Sequence, residues 1–176
     1  MAGHNKWAQI KRQKGANDSA KSALWGKLSR RISVEAKKAG GDLNAANLRS
    51  IIEKAKAANM TKDAIGRAVV KGSSSDAAAM ESVVYEAYGP GGAAVIICAL
   101  TDNTNRTLQE LKAIFAKHTI NLAAPGAALW AFTKTEEGYA PNATIPLSPD
   151  DDAALMKVME LIDVLDDVEE VYTNAE

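Results

Sequence analysis

The chain has one cysteine, two histidines and no apolar run approaching the ~18 residues that span a bilayer, and each scarcity removes a class of protein. A single thiol, Cys98, cannot form an internal disulfide, which fits a reducing compartment. Its setting, Val95-Ile96-Ile97-Cys98-Ala99-Leu100, is apolar and reads as a buried core thiol rather than a nucleophile. His4 and His118 stand far apart with no Cys/His spacing around either, so no zinc site is expected. His118 follows Lys117 at a predicted helix end, where interaction with the helix dipole accounts for it. The opening Met1-Ala2-Gly3-His4-Asn5-Lys6-Trp7 has no apolar signal-peptide core, so a cytoplasmic protein without a membrane partner is expected. Residues 1–72 contain no proline and little strand patterning.

Net charge is also nearly absent, at -1 from 21 Lys+Arg and 22 Asp+Glu, and an even spread would argue against a polyanionic partner. The spread is not even. Residues 1–72 hold 16 basic residues against five acids, a net of +11, and residues 73–176 hold five against 17, a net of −12. Such polarity points to a nucleic-acid-facing half and an acidic half.

In the basic half, Leu24, Leu28, Ile32, Ala36 and Ala39 repeat at helical spacing, which predicts a helix from Asp18 to Ala39 ended by Gly40-Gly41. At about 100° per residue, Lys27, Arg30, Arg31, Lys37 and Lys38 fall together opposite that stripe, interrupted by Val34, while Lys21 projects toward the apolar side. A second helix, Ala45 to Ala58, buries Leu48, Ile51, Ile52 and Ala55; Asn59-Met60 breaks it, and Thr61 caps a third that runs through Ile65, Ala68 and Val69 to Gly72. Residues 73–80, rich in serine and alanine, read as a linker.

The period then changes. Val83 to Tyr88 and Ala93 to Leu100 pattern as strands joined by a Gly89-Pro90-Gly91-Gly92 hairpin turn. A helix follows from Asn105 to Lys117, then strand candidates at 127–133 and 143–147, a helix opened by Ser148-Pro149 with Asp150-Asp151-Asp152, and a last strand over Val168 to Tyr172. From Ala93 the order is β-α-β-β-α-β, so the expected fold class is α+β: an N-terminal three-helix domain (1–72), a linker (73–80) and an acidic ferredoxin-like α/β sandwich (81–176) with an extra N-terminal hairpin strand.

No enzyme chemistry is expected and no cofactor. Gly89-Pro90-Gly91-Gly92 lacks the lysine and helix of a phosphate loop. Asp150-Asp151-Asp152 and Asp166-Asp167 read as solvated charge at helix ends rather than metal ligands, and Asn142-Ala143-Thr144 as a chance sequon. The basic arm is different: His4, Lys6, Lys11, Arg12 and Lys14 surround Trp7, which is open between packing and stacking on a base, and lead into the cationic helix; Trp25 reads as core. The candidate nucleic-acid-binding residues are therefore His4, Lys6, Trp7, Lys11, Arg12, Lys14, Lys27, Arg30, Arg31, Lys37 and Lys38.

The opening Ala2-Gly3-His4-Asn5-Lys6-Trp7 resembles the start of the YebC/PmpR family, and three further stretches agree in order: Lys54 to Met60 with Lys62-Asp63, Tyr85 to Gly92, and Thr101 to Thr107. The resemblance implies a regulator of gene expression that binds nucleic acid, described for the family as a probable DNA-binding transcriptional regulator. For the mitochondrial relative and for bacterial relatives linked to stalled ribosomes, it implies a translation factor acting through ribosomal RNA. Members usually carry a third domain inserted into the second, and here residues 135–143 run straight to the stretch resembling the return. Thr61 stands where the family usually has proline, and Gly66 where it has glutamate. The basic helix, mostly Lys, Arg, Ser and Ala, suits phosphates better than base edges, which favours structured RNA or nonspecific duplex. The acidic half is expected to contact or orient a protein partner; the reading from another class is a ligand-sensing or dimerisation module.

Overall fold

A computed structural model describes residues 18–74, 79–135 and 138–176, which form parts of two compact units, Ala16–Met80 and Glu81–Glu176.

The first unit is helical. Helix α1 (Asp18–Lys38) buries Leu28, Ile32 and Ala36 against Leu48, Ile51 and Ala55 of α2 (Ala46–Ala57) and Ile65 and Ala68 of α3 (Lys62–Ser73). Leu24, expected in the same stripe, is 44% exposed. It lies about 80° around the helix from Ile32, and the neighbouring Trp25 fills the interior at that level instead, its indole Nε1 donating to the Ala58 carbonyl at 3.0 Å. Both helix ends expected at α1 and α2 form by one device. Gly40 and Asn59 take positive φ (59° and 58°), and the amides after them reach back to Ala36 and Ala55. Satisfying the last carbonyls in this way requires a left-handed residue. Thr61 caps α3, its hydroxyl accepting from the Ala64 amide at 3.2 Å. Gly72, expected as the end of α3, lies inside it and is where α3 meets α1: a Cβ there would stand 2.1 Å from the Ser33 carbonyl oxygen, and Ser33 Oγ donates to the Ala68 carbonyl at 2.8 Å.

The second unit is mixed. Strands β1 (Glu81–Tyr88) and β2 (Ala94–Thr101) form the expected hairpin, with Gly91 and Gly92 at φ 66° and 79° in its turn. Then come α4 (Thr104–Phe115), β3 (Asn121–Ala123), a second hairpin of β4 (Phe132–Thr135) and β5 (Gly138–Pro141), α5 (Pro149–Asp163) and β6 (Val168–Thr173). The main sheet has the order β3-β1-β2-β6 with every pairing antiparallel. Leu111 and Phe115 of α4 and Leu155, Val158, Met159 and Ile162 of α5 pack on Ala87, Val95, Ile97 and Val171 of one sheet face. The opposite face, with Ala94, Ile96 and Tyr172, is covered in part by Ala128, Ala131, Phe132 and Tyr139.

The α+β class, the four strands and the helices on one face agree with the sequence reading, but the strands are not the ones expected. β1 is an inner strand of the sheet rather than an extra one, because β3 pairs on its outer side. The 127–133 stretch is a turn and a short 3-10 segment until Phe132, since the Ala128 and Leu129 amides go to the Glu86 carboxylate and the Ala127 and Ala131 amides close local turns rather than pairing with a neighbouring strand. Residues 143–147 contribute one bridge, Ile145 to Ala175, where Pro146 interrupts any longer ladder.

Candidate nucleic-acid interface

Helix α1 carries the described part of the predicted interface. Arg31, Lys37 and Lys38 are exposed, and Lys27 and Arg30 half-buried. The stripe that folds inward therefore leaves these five side chains on the outer side, as the spacing predicts. One local acid trims this charge: Glu35 Oε1 lies 2.8 Å from Lys38 Nζ. Lys21, on the apolar side, places its ammonium 5.2 Å from the Trp25 ring centre. Further exposed cations come from the other two helices, Arg49, Lys54 and Lys56 on α2 and Lys62, Arg67 and Lys71 on α3. The overall +11 signalled them, but only α1 concentrates its cations on one helical side. His4, Lys6, Trp7, Lys11, Arg12 and Lys14 lie outside the described residues.

In the mixed unit, two acids that look like ordinary surface charge are consumed by the fold. Glu86 is 5% exposed, and its carboxylate accepts from the Gly126, Ala128 and Leu129 amides at 2.5, 2.7 and 2.7 Å. Burial alone would raise its pKa; the three amide donors outweigh burial and hold the carboxyl below its usual value. Asp167, read from sequence as solvated, is 2% exposed. Its Oδ2 accepts from Arg106 Nη2 at 2.7 Å, Thr107 Oγ1 at 2.7 Å and Thr101 Oγ1 at 2.9 Å. These donors again overcome burial and lower the carboxyl pKa. Arg106 also bonds Asp102 at 2.8 Å, and Asn103 Oδ1 caps α4 at the Arg106 amide. Asp166, next in sequence, is exposed. Cys98 is half-buried; burial, with Glu170 and Glu169 nearby, pushes its thiol pKa up to about 12, so it stays protonated and unreactive near neutral pH.

Residues 5–75 match the TACO1/YebC protein N-terminal domain, and residues 80–137 match the TACO1/YebC second and third domain. The chain belongs to the TACO1/YebC family. A probable transcriptional regulatory protein of Lactiplantibacillus plantarum is 42% identical over 99% of this chain and 73% of its own. One of Kosmotoga olearia, also named a probable transcriptional regulatory protein, is 34% identical over all of this chain and 94% of its own. That alignment runs over 238 positions against 176 residues here, so the relative carries sequence with no counterpart in this chain. The crystal structure of a conserved hypothetical protein from Aquifex aeolicus superposes with a TM-score of 0.85 at 28% identity, covering 97% of this chain and 96% of that one.

Within this TACO1/YebC chain, the three internal stretches that carry the resemblance are fold-making. Lys54 to Met60 ends α2 through Asn59; Tyr85 to Gly92 supplies Glu86 and the hairpin turn; Thr101 to Thr107 supplies the donors around Asp167 and the cap of α4. No group of three or more candidate metal ligands occurs among the described residues, and none of their helices is long and apolar enough to cross a membrane.

Proposed function

We propose that this chain is a nucleic-acid-binding regulator of gene expression, a DNA-binding transcriptional regulator of the YebC type, docking through the cationic side of α1. The observation that carries the reading is the placement of Lys27, Arg30, Arg31, Lys37 and Lys38 opposite the buried Leu28-Ile32-Ala36 stripe in a half with a net charge of +11. Five cations on one side of a rigid helix suit a phosphate backbone, and phosphate contact supplies most of the affinity of such binding. The names of the relatives support the regulatory role.

One observation favours a second reading, a translation factor on ribosomal RNA. Between Ser22 and Lys38 the helix offers no Asn or Gln to read an adenine edge, and its mostly Lys, Arg, Ser and Ala surface suits phosphates better than base edges. The acidic half then serves as the surface that meets a protein partner. Charge reversal of Arg30 and Arg31 together in the full chain is expected to weaken binding to duplex DNA at least tenfold in a mobility-shift titration. Unchanged affinity overturns docking through α1. Co-sedimentation with ribosomal subunits from lysate at physiological salt separates the two readings: a ribosome-bound fraction that the reversal releases selects the translational one.

A further inference from the structure

Val34 interrupts the cationic side of α1, and the core of the helical unit does not use it. It is neither one of the buried residues of that core nor one of those packed against them, and it is half-buried, with part of its surface accessible. Core packing therefore does not account for a valine at this point of the helix.

Its place is central. In an α-helix the nearest neighbours of a side chain stand three and four positions away, and for Val34 all of them are cations: Arg30, Arg31, Lys37 and Lys38. At about 100° per residue, Arg30 and Lys37 lie about 40° and 60° to one side of it, and Arg31 and Lys38 about 60° and 40° to the other. Two rows of positive charge thus flank one apolar point. Lys27 stands almost in line with Val34, about 10 Å before it along the axis, so that point is no larger than a single side chain. The nearest acid on the helix, Glu35, lies beyond the row that holds Lys38 and pairs with that lysine.

This arrangement selects its ligand. The cations call for anionic groups on both sides, and the valine calls for a small hydrocarbon group between them. A duplex groove has two phosphate rims about a floor of base edges. In B-DNA the major groove is about 12 Å wide, admits an α-helix and carries the C5-methyl of thymine. Duplex RNA closes its major groove to side chains and lines the open, shallow one with 2′-hydroxyls, which a valine would leave without partners. Carboxylates on a protein come in no such fixed pair of rows.

We infer that α1 lies in the major groove of DNA with Val34 against the C5-methyl of a thymine, while Arg30, Lys37, Arg31 and Lys38 reach the phosphate rims on either side. The inference rests on the DNA-binding reading proposed above and deepens it. A face that otherwise meets phosphates acquires one point at which a base is sensed.

The test uses the full chain and three labelled duplexes of alternating sequence, d(AT), d(AU) and r(AU), read by fluorescence anisotropy. The second differs from the first only in lacking the thymine methyls. The wild type is expected to bind d(AT) about fourfold more tightly than d(AU), the effect of burying one methyl group, and r(AU) no more tightly than d(AU). Val34→Ser removes both methyls of the side chain at a similar helix propensity and is expected to bind d(AT) and d(AU) alike. The comparison of d(AT) with d(AU) needs no variant, so it decides even if this substitution disturbs α1. Equal binding of d(AT) and d(AU) by the wild type, or a preference that folded Val34→Ser retains, overturns the contact; phosphate docking survives without it if reversing Arg30 and Arg31 still weakens both. Tightest binding to r(AU) overturns it in favour of the ribosomal-RNA reading. If the wild type binds none of the three, the contact and the nucleic-acid reading both fall.

Discussion

The two units use charge in opposite ways. In the helical unit the core is wholly apolar, built on Leu28, Ile32, Leu48, Ile51, Ile65 and their neighbours, and the described charges stay outside it, some of them in short pairs such as Lys38–Glu35 and Lys56–Glu53. Exposed pairs of this kind contribute little to folding, so the cations can exchange them for a partner at small cost. The mixed unit buries two carboxylates and surrounds each with donors, Glu86 with three amides and Asp167 with a guanidinium and two hydroxyls. Its −12 therefore overstates its acidic surface, whereas the +11 of the helical half is surface charge wherever side chains are described. A charge count per segment thus becomes a statement about partners only after the charges used in folding are subtracted.

The contrast is probed most sharply by disturbing each unit at its own weak point. In the helical unit that point is not a charge but Gly72. A methyl group there would meet the Ser33 backbone, so Gly72→Ala is expected to cost about 3 kcal/mol by overpacking and to lower the thermal midpoint of the unit visibly. In the mixed unit the weak point is a carboxylate. Asp167→Asn removes the buried charge that faces Arg106 and sets an amide donor among the three donors around it, and should cost about 2 kcal/mol in denaturant melts, while Asp166→Asn, one residue away and exposed, should change stability by less than about 0.5 kcal/mol.

The pH dependence of the mixed unit follows with a definite sign. Glu86 and Asp167 both have lowered folded pKa values, so in acid the unfolded chain binds more protons than the folded one. Their contribution is full above the ordinary carboxyl range near about 4 and disappears as pH falls through the lower folded values. Acid melts should show this loss in the wild type and a flatter profile in Asp167→Asn.

Smaller effects are expected at the surface of the helical unit. Gly66 is exposed in α3 with open space where a methyl group would stand, and Gly66→Ala should stabilise by up to about 1 kcal/mol through helix propensity, seen as a raised midpoint. Glu35→Gln, which breaks the pair with Lys38, should leave stability within about 0.5 kcal/mol and tighten duplex binding slightly by removing a negative charge from α1.

Legibility followed the range of the interactions. The helices could be read because their causes are local: a 3.6-residue apolar period, Thr61 and Ser148 as caps, Gly40 and Asn59 as left-handed ends. The α1 cations were legible for the same reason, as one helical turn fixes which side chains share a side. What escaped depends on distant partners. The run Ala127 to Thr133 looks like a strand until Glu86, about 40 residues earlier, takes the amides of Ala128 and Leu129. β3 has three residues and no alternation to reveal it. Asp167 looked solvated because its donors, Thr101, Arg106 and Thr107, lie some 60 residues before it. Trp130 carried no signal of its exposure, since an aromatic in an apolar run reads as core.

The central claim, that α1 meets a phosphate backbone with its cationic side, is tested most directly by the salt dependence of duplex DNA binding by the full chain. If five or six phosphates are neutralised, the log–log slope of affinity against salt should be about −5, and reversing Arg30 and Arg31 should make it shallower by about 2. A wild-type slope near zero, or the same slope in the reversed variant, would contradict the account.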